Sequence, residues 1–311
     1  MGPLPGKAHP STLQAGRVNA DHVRGRTDPD IVTNAADGQS EATGRAELPV
    51  AKTARPDGGS RARDLQRVAV VIPAKDEQER IAATVRSARA IPHVDLVLVV
   101  DDGSEDDTQH AARAAGAVVV RHSHNRGKAA AMETGAAVVA MRDASGRPER
   151  LLLFVDGDLG ETAVNTAPLV TPVREGVADL AIALLPPQPG AGGRGIVVGA
   201  ARRAIHALTG WTPTQPLSGM RCLTREAFEA ATPLARGWGV ETGMTIDLLR
   251  QGYVAVEVPC DLKHRPSSND FKGQMHRAAQ YRDVMVAVNA RRMRGAFDAV
   301  RGVRSGAGSR A

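Results

Sequence analysis

Aromatic side chains are scarce in this 311-residue chain, 3% of the total, and none precedes Phe154. The core must therefore be packed from Val, Leu, Ile and Ala, which suits sheets and the helices that cover them. Cysteine is scarcer still. Cys222 and Cys260 stand far apart, without zinc-site spacing or the density of a disulfide scaffold, so a reducing cytoplasm fits best. No apolar run approaches the roughly 18 residues that span a bilayer, and the N-terminus has no signal-peptide pattern. Basic residues are not interleaved with aromatic platforms, which speaks against nucleic acid as a partner.

Charge is present but uneven. The formal net charge is +6, and from Lys263 onward eleven Lys/Arg face three Asp. A phosphorylated ligand or an acidic membrane surface would use that excess, and a solvated basic helix would equally account for it. Residues 1–64 are rich in Gly, Pro, Ser, Thr, Asp and Arg without periodicity. Too little apolar surface is available there to offset ordering entropy, so a disordered leader is expected. A flexible basic tail is expected over 296–311.

Order begins at Val68-Ala69-Val70-Val71-Ile72, an apolar run closed by Pro73. Ile81, Val85 and Ala88 then recur at helical spacing. A second strand, Leu96 to Val100, ends at Asp101-Asp102-Gly103-Ser104, and a third covers Ala117 to Val120. Asn125-Arg126-Gly127-Lys128 opens an Ala-rich helix to about Met141, and Leu151 to Val155 is a fourth buried strand stopped by Asp156-Gly157-Asp158. Apolar strands alternating with helices predict an α/β fold, a mostly parallel sheet with helices on both faces. Right-handed crossovers would put the strands' carboxyl ends on one edge, where open sheets bind ligands. Downstream the spacing predicts a helix over Asn165–Arg174, a strand over Ala178–Leu184, a Pro/Gly-rich loop over 186–195 and a helix from Ile196. A short strand over Met220–Leu223, a helix capped by Thr224, a helix over Val240–Arg250, a strand over Tyr253–Val258 and a last amphipathic helix over Phe271–Arg294 complete the expectation.

Two acids at the end of a buried strand are costly unless a cation sits between them. An isolated Asp-Gly-Asp reads as a solvated turn, and Asp-Asp-Gly-Ser alone reads as a turn and helix cap. Their succession changes the reading. Glu77 follows the first strand, Asp101 and Asp102 the second, Asp156 and Asp158 the fourth, and Lys128 opens a helix on the same edge. Carboxylates that accept from base and ribose, a lysine and backbone amides for phosphate, and a metal-binding pair together describe a nucleoside diphosphate site.

The runs VVIPAKDEQERI, VLVVDDGSEDDT, NRGKAAAMETG and LLFVDGDL resemble the successive motifs of family 2-type glycosyltransferases with the GT-A, Rossmann-like fold. Gly192 to Arg194, Gln215 to Gly219, Gly237 to Gly243 and His264-Arg265 further resemble bacterial glucosyl-3-phosphoglycerate synthases and, more distantly, polyprenyl-phosphate glycosyltransferases. The resemblance implies a GT-A domain over 65–295, with a nucleotide-binding half (65–160), an acceptor half (161–270) and a C-terminal helix (271–295). It implies Pro73, Ala74, Glu77, Asp101 and Asp102 around base and ribose, and Lys128 beside the diphosphate. It places Mg²⁺ or Mn²⁺ on Asp156, Asp158 and His264, and the acceptor against Arg194, Ser218, Gly219 and Glu241. The implied reaction moves a sugar from a nucleoside diphosphate sugar, UDP-glucose or similar, to a hydroxyl of a small phosphorylated acid or a lipid phosphate. Asp158, Lys128 and Glu241 would carry the chemistry, with Glu241 the candidate base of an inverting enzyme, whereas a retaining enzyme would use the diphosphate itself. The 186–195 loop is expected to close over the donor. Peripheral membrane contact and a second copy of the chain are further candidate partners.

Three departures stand out: Lys75 where the family has an aromatic or leucine, and Ile196 and Pro266 where the phosphoglycerate enzymes have acceptor-binding Thr and Asn. The donor half is expected intact and the acceptor half altered.

Overall fold

Unbroken apolar runs become strands that are covered on both faces. The computed structural model describes residues 66–186, 194–262 and 278–294, all within one compact unit, Glu47–Ala311. The expected leader and basic tail, most of the Pro/Gly-rich loop and the segment holding His264 lie outside the described residues.

Among the described residues the strands are β1 Val68–Ala74, β2 Val94–Asp101, β3 Val118–Arg121, β4 Leu151–Phe154, β5 Leu180–Leu184, β6 Arg221–Leu223 and β7 Ala255–Pro259. They form one sheet in the order β3-β2-β1-β4-β6-β5-β7. Helices are α1 Ile81–Ala88, α2 Thr108–Ala114, α3 Lys128–Met141, α4 Val170–Arg174, α5 Arg194–Thr209, α6 Arg225–Ala230 and α7 Val240–Arg250. Residues 278–294 add a further helix, α8. The expected N-cap of α6 is present: Thr224 Oγ1 accepts from Ala227 N at 3.1 Å.

Alternate residues of each strand feed two separate cores, which is why the strands read as continuous apolar runs rather than as alternating ones. Val68, Val70 and Ile72 pack with Ile81, Val85 and Ala112 on one face. Ala69 and Val71 pack with Met132, Ala136 and Val139 on the other, in a core that extends to α5, α7 and α8. The scarcity of aromatics is met by close approach. Gly135 of α3 lies against β1 and β2, where a Cβ would come within 2.4 Å of Val71 Cγ1.

Three expectations change. The strand after Arg67 continues through Pro73 to Ala74, because Pro73 still pairs in register with Val100. The helix expected over Asn165–Arg174 is a 3₁₀ helix over Gly160–Leu169 that becomes α-helical at α4; Pro168 removes an amide donor within it. And not every strand ends on the same edge: β6 is antiparallel to both β4 and β5. That exception matters for the site. β1, β2 and β4 finish on one edge, with Ala74 opposite Asp101 and Phe154 two residues before Asp156. β6 begins on that edge, with Arg221 opposite Phe154 and Ile182. The 215–220 segment is thereby delivered beside the strand-end acids.

Candidate active site

Loops after β1 and β2 are stitched into one wall. Asp76 N donates to Ser104 Oγ at 3.0 Å, Glu77 N to Thr108 Oγ1 at 2.8 Å, and Glu105 N to Asp76 Oδ1 at 2.8 Å. The strand-end residues Pro73 and Ala74 lie beneath this wall, and the Ala74 carbonyl accepts from Asp102 N at 2.8 Å. Lys75 pairs with its neighbour Asp76. A cavity of about 240 Å³ opens beside the wall, lined by Asp76, Glu77, Gln78, Glu79, Arg80 and Asp106.

Asp101 and Asp102, expected together in a base and ribose pocket, are used differently. Asp101 is fully buried; its Oδ1 accepts from Ser104 N at 2.9 Å. Its Oδ2 makes no hydrogen bond among the described residues, and Arg121 Nε lies 3.4 Å away. Both oxygens of Asp102 are engaged within the protein. Oδ1 accepts from Arg126 N at 2.9 Å and lies 2.7 Å from His122 Nδ1, and Oδ2 accepts from Gly127 N at 2.7 Å. His122 Nε2 in turn lies 3.0 Å from Thr134 Oγ1. Asp102 therefore braces the turn that starts α3, and so fixes the root of Lys128. A carboxylate taking backbone N–H groups ahead of a helix is the geometry of an N-terminal anchor.

Lys128 is the centre of the arrangement. Its Nζ lies 2.9 Å from Asp156 Oδ1 and 3.0 Å from Glu241 Oε1. Burial alone would lower its pKa, but the charges of Asp156 and Glu241 outweigh burial and hold it above the ordinary lysine value. The lysine thus joins the carboxyl end of β4 to the first turn of α7, halves that the sequence separates by 85 positions. Between them lies Gly219. A Cβ there would meet Lys128 Nζ at 2.6 Å and Asp156 Oδ2 at 2.8 Å. Both are ends of flexible side chains, so Gly219→Ala should leave the melting temperature within about 2 °C of wild type while displacing the lysine. Any activity of the site should fall about tenfold to a hundredfold, as misplacement of a reacting group by about 1 Å does; melting curves and initial rates on one preparation check both halves.

Sequence reasoning missed the residues that hold this loop. Glu257, fully buried in β7, accepts from Thr214 N and Gln215 N at 2.7 Å each. Gln215 pairs with the backbone of Leu185 through both of its side-chain atoms. Arg202 of α5 donates to the carbonyls of Pro213 and Thr214. Arg221, fully buried, donates to the carbonyls of Pro216, Ser218 and Glu241. The available signal was a lone charged residue inside an apolar strand, Arg221 in Met-Arg-Cys-Leu and Glu257 in Val-Ala-Val-Glu-Val. Such residues are almost never fully buried without partners.

Asp158 follows on the same turn. Its carbonyl accepts from Arg80 Nη1 at 3.3 Å, and Thr84 Oγ1 donates to the Gly157 carbonyl at 2.8 Å, so α1 fixes the Asp-Gly-Asp backbone. Two hard carboxylate donors one residue apart suit Mg²⁺ or Mn²⁺. His264 lies outside the described residues, and among the described residues no three His, Cys, Asp or Glu gather as a metal cluster. Arg194 begins α5, and its side chain lies outside the described residues. Ser218 is 7% exposed, and its Oγ has no hydrogen-bond partner among the described residues.

The model for "Glycosyl transferase family 2" matches residues 69–196, a span that holds the Asp-Asp-Gly-Ser turn, Lys128 and the Asp-Gly-Asp pair. Residues 69–196 are a family 2 glycosyltransferase domain. Its α/β architecture is that of the GT-A fold. The chain is similar to the glycosyltransferase AglJ of Haloferax volcanii, 32% identical over 213 residues, 65% of each chain. It is also similar to the glucosyl-3-phosphoglycerate synthase of Mycolicibacterium paratuberculosis, 31% identical over 196 residues, 58% of this chain and 59% of that one. The chain therefore spans less than two thirds of the length of these curated relatives. Among solved structures, the glucosyl-3-phosphoglycerate synthase of Mycobacterium tuberculosis in complex with Mn²⁺, UDP and phosphoglyceric acid superposes with a TM-score of 0.60. It is 27% identical, over 78% of this chain and 86% of that one. The same enzyme is also known with Mg²⁺ and UDP. No helix among the described residues is long and apolar enough to cross a membrane.

Proposed function

We propose that this protein transfers a sugar from a nucleoside diphosphate sugar, UDP-linked in the first instance, to a hydroxyl acceptor, with Mg²⁺ or Mn²⁺ held by Asp156 and Asp158. The observation that carries this reading is the bridge from Asp156 through Lys128 to Glu241 across Gly219. One cation there touches a residue from the donor half and a residue from the acceptor half, which is where a leaving diphosphate and an attacking hydroxyl must meet. The solved relative that binds Mn²⁺ with UDP supports the same assignment.

On this reading the loops after β1 and β2 receive the base and ribose. Lys128 presents its ammonium to the diphosphate, giving charge stabilisation in a site partly closed to water. Glu241, 7% exposed at the start of α7, stands by the acceptor hydroxyl and takes its proton in an inverting reaction. The divalent cation, when bound, neutralises charge on the departing diphosphate. For the acceptor, a small phosphorylated acid such as 3-phosphoglycerate is the first compound to test, by likeness to the synthases. Ile196, 74% exposed on α5, and Pro266 have side chains without a polar atom at the positions that differ from the resembling synthases, so we expect a different hydroxyl acid to be preferred. Two free buried thiols accord with a reducing compartment.

A thermal-shift panel of UDP- and GDP-sugars with Mg²⁺ or Mn²⁺ tests the donor assignment. Saturation at a hundredfold over Kd should add about 2.7 kcal/mol of apparent stability. If no nucleoside diphosphate sugar raises the melting temperature, the reading fails.

A further inference from the structure

We infer that Arg221 is a positioning residue that sets the distance between Glu241 and Lys128, and through it the rate of transfer to the acceptor. The inference rests on the functional reading above. Arg221 is the first residue of the antiparallel strand β6, so its side chain starts from the edge where the parallel strands end. Its guanidinium is fully buried and makes four hydrogen bonds, each with a defined direction. Nε donates to the Ser218 carbonyl at 2.8 Å and Nη2 to the Pro216 carbonyl at 3.2 Å. Nη1 donates to the Glu241 carbonyl at 3.0 Å and to Thr245 Oγ1 at 2.9 Å. Thr245 Oγ1 itself donates to the Glu241 carbonyl at 2.8 Å, closing the set.

One planar group therefore pins both walls around Lys128. Holding the Ser218 carbonyl fixes the next residue, Gly219, whose Cα has Lys128 and Asp156 packed against it. Holding the Glu241 carbonyl fixes the backbone from which the carboxylate reaches Lys128 at 3.0 Å. A lysine ammonium could not replace this fork, because its donors are not coplanar and its reach is to one point.

The arginine is an expensive choice for mere packing. Burial lowers its pKa to about 10 in spite of the opposing charges of Glu241 and Glu257, and no carboxylate among the described residues forms an ion pair with it. A buried charge is weak evidence for stability, and here its four directed hydrogen bonds give it the orienting role inferred above.

The test is a double-mutant cycle of Arg221→Lys with Glu241→Gln, with Thr245→Val as a milder variant that removes one of the four contacts. Transfer kcat, acceptor KM and UDP affinity in Mn²⁺ are measured alongside the melting temperature. Arg221→Lys should lower transfer by about ten- to a hundredfold, leave UDP affinity within about threefold, and cost little further in the Glu241→Gln background. Thr245→Val should show a smaller loss in the same direction. Additive losses in the cycle would overturn the inference, as would a loss of transfer that tracks the folded fraction. A wild-type protein that moves no sugar would refute the functional reading instead. Arg221 would then be judged on the crystal structure of Arg221→Lys, where residues 216–219 and the first turn of α7 must shift relative to Lys128; unchanged positions would refute it.

Discussion

Lys128→Met should lower sugar transfer by about a hundred- to a thousandfold, the loss that follows when one preorganised charge-stabilising donor is removed from a reacting site. The structure gives two reasons for so large an effect. The ammonium is placed to meet the diphosphate, and it also separates Asp156 from Glu241, two carboxylates that it touches at 2.9 and 3.0 Å. Without it those carboxylates face one another, and donor binding would have to bring a third negative group beside them. Folding should suffer as well. The lysine side chain is 31% exposed and Asp156 26%, so water screens that pair, whereas Glu241 at 9% is left nearly buried without its partner; together the cost is about 2–4 kcal/mol. Lys128→Arg should be intermediate, because the larger planar fork must fit beside Gly219. Transfer rates, UDP affinity and denaturant midpoints on the three proteins check the ordering.

Asp158→Asn should abolish metal-dependent activity, a fall on the order of a thousandfold, equivalent to several kcal/mol of transition-state stabilisation. The two acids of the Asp-Gly-Asp turn should then separate by phenotype. Asp156 is bound to Lys128, so Asp156→Asn disturbs the lysine as well and should weaken UDP binding even without metal. Asp158 contributes its carbonyl to Arg80, a contact that the Asn variant keeps. Its loss should therefore appear chiefly in the metal-dependent part of UDP binding. Titrations of UDP with and without Mn²⁺ on both variants decide this.

Much of the sheet was legible because its strands are buried on both faces. Val68–Ile72, Leu96–Val100 and Leu151–Phe154 leave no polar alternation, and the helices between them carry apolar residues at helical spacing. The Asp-Asp, Lys128 and Asp-Gly-Asp positions were legible for a related reason: each interrupts an apolar run at a strand end or opens a helix. The reversal of β6 was not. A strand of three residues carries no directional signal, and only the sheet shows that Arg221 enters from the site edge. That Asp102 also takes Arg126 N, Gly127 N and His122 was not legible, because sequence shows only that a carboxylate follows a strand. Glu257 and Arg221 escaped notice because an isolated charge in a strand is ordinarily assigned to an exposed position. The partners that make burial tolerable come from loops 42 and 3 residues away.

The most direct test of the central claim is the release of nucleoside diphosphate from UDP- and GDP-sugars, measured with Mn²⁺ or Mg²⁺ and a panel of hydroxyl acids including 3-phosphoglycerate. Metal-dependent release from at least one donor, accelerated by an acceptor and lost in Asp158→Asn, is the expected result. A folded wild-type protein that releases nothing from any of these donors above the Asp158→Asn background would contradict it.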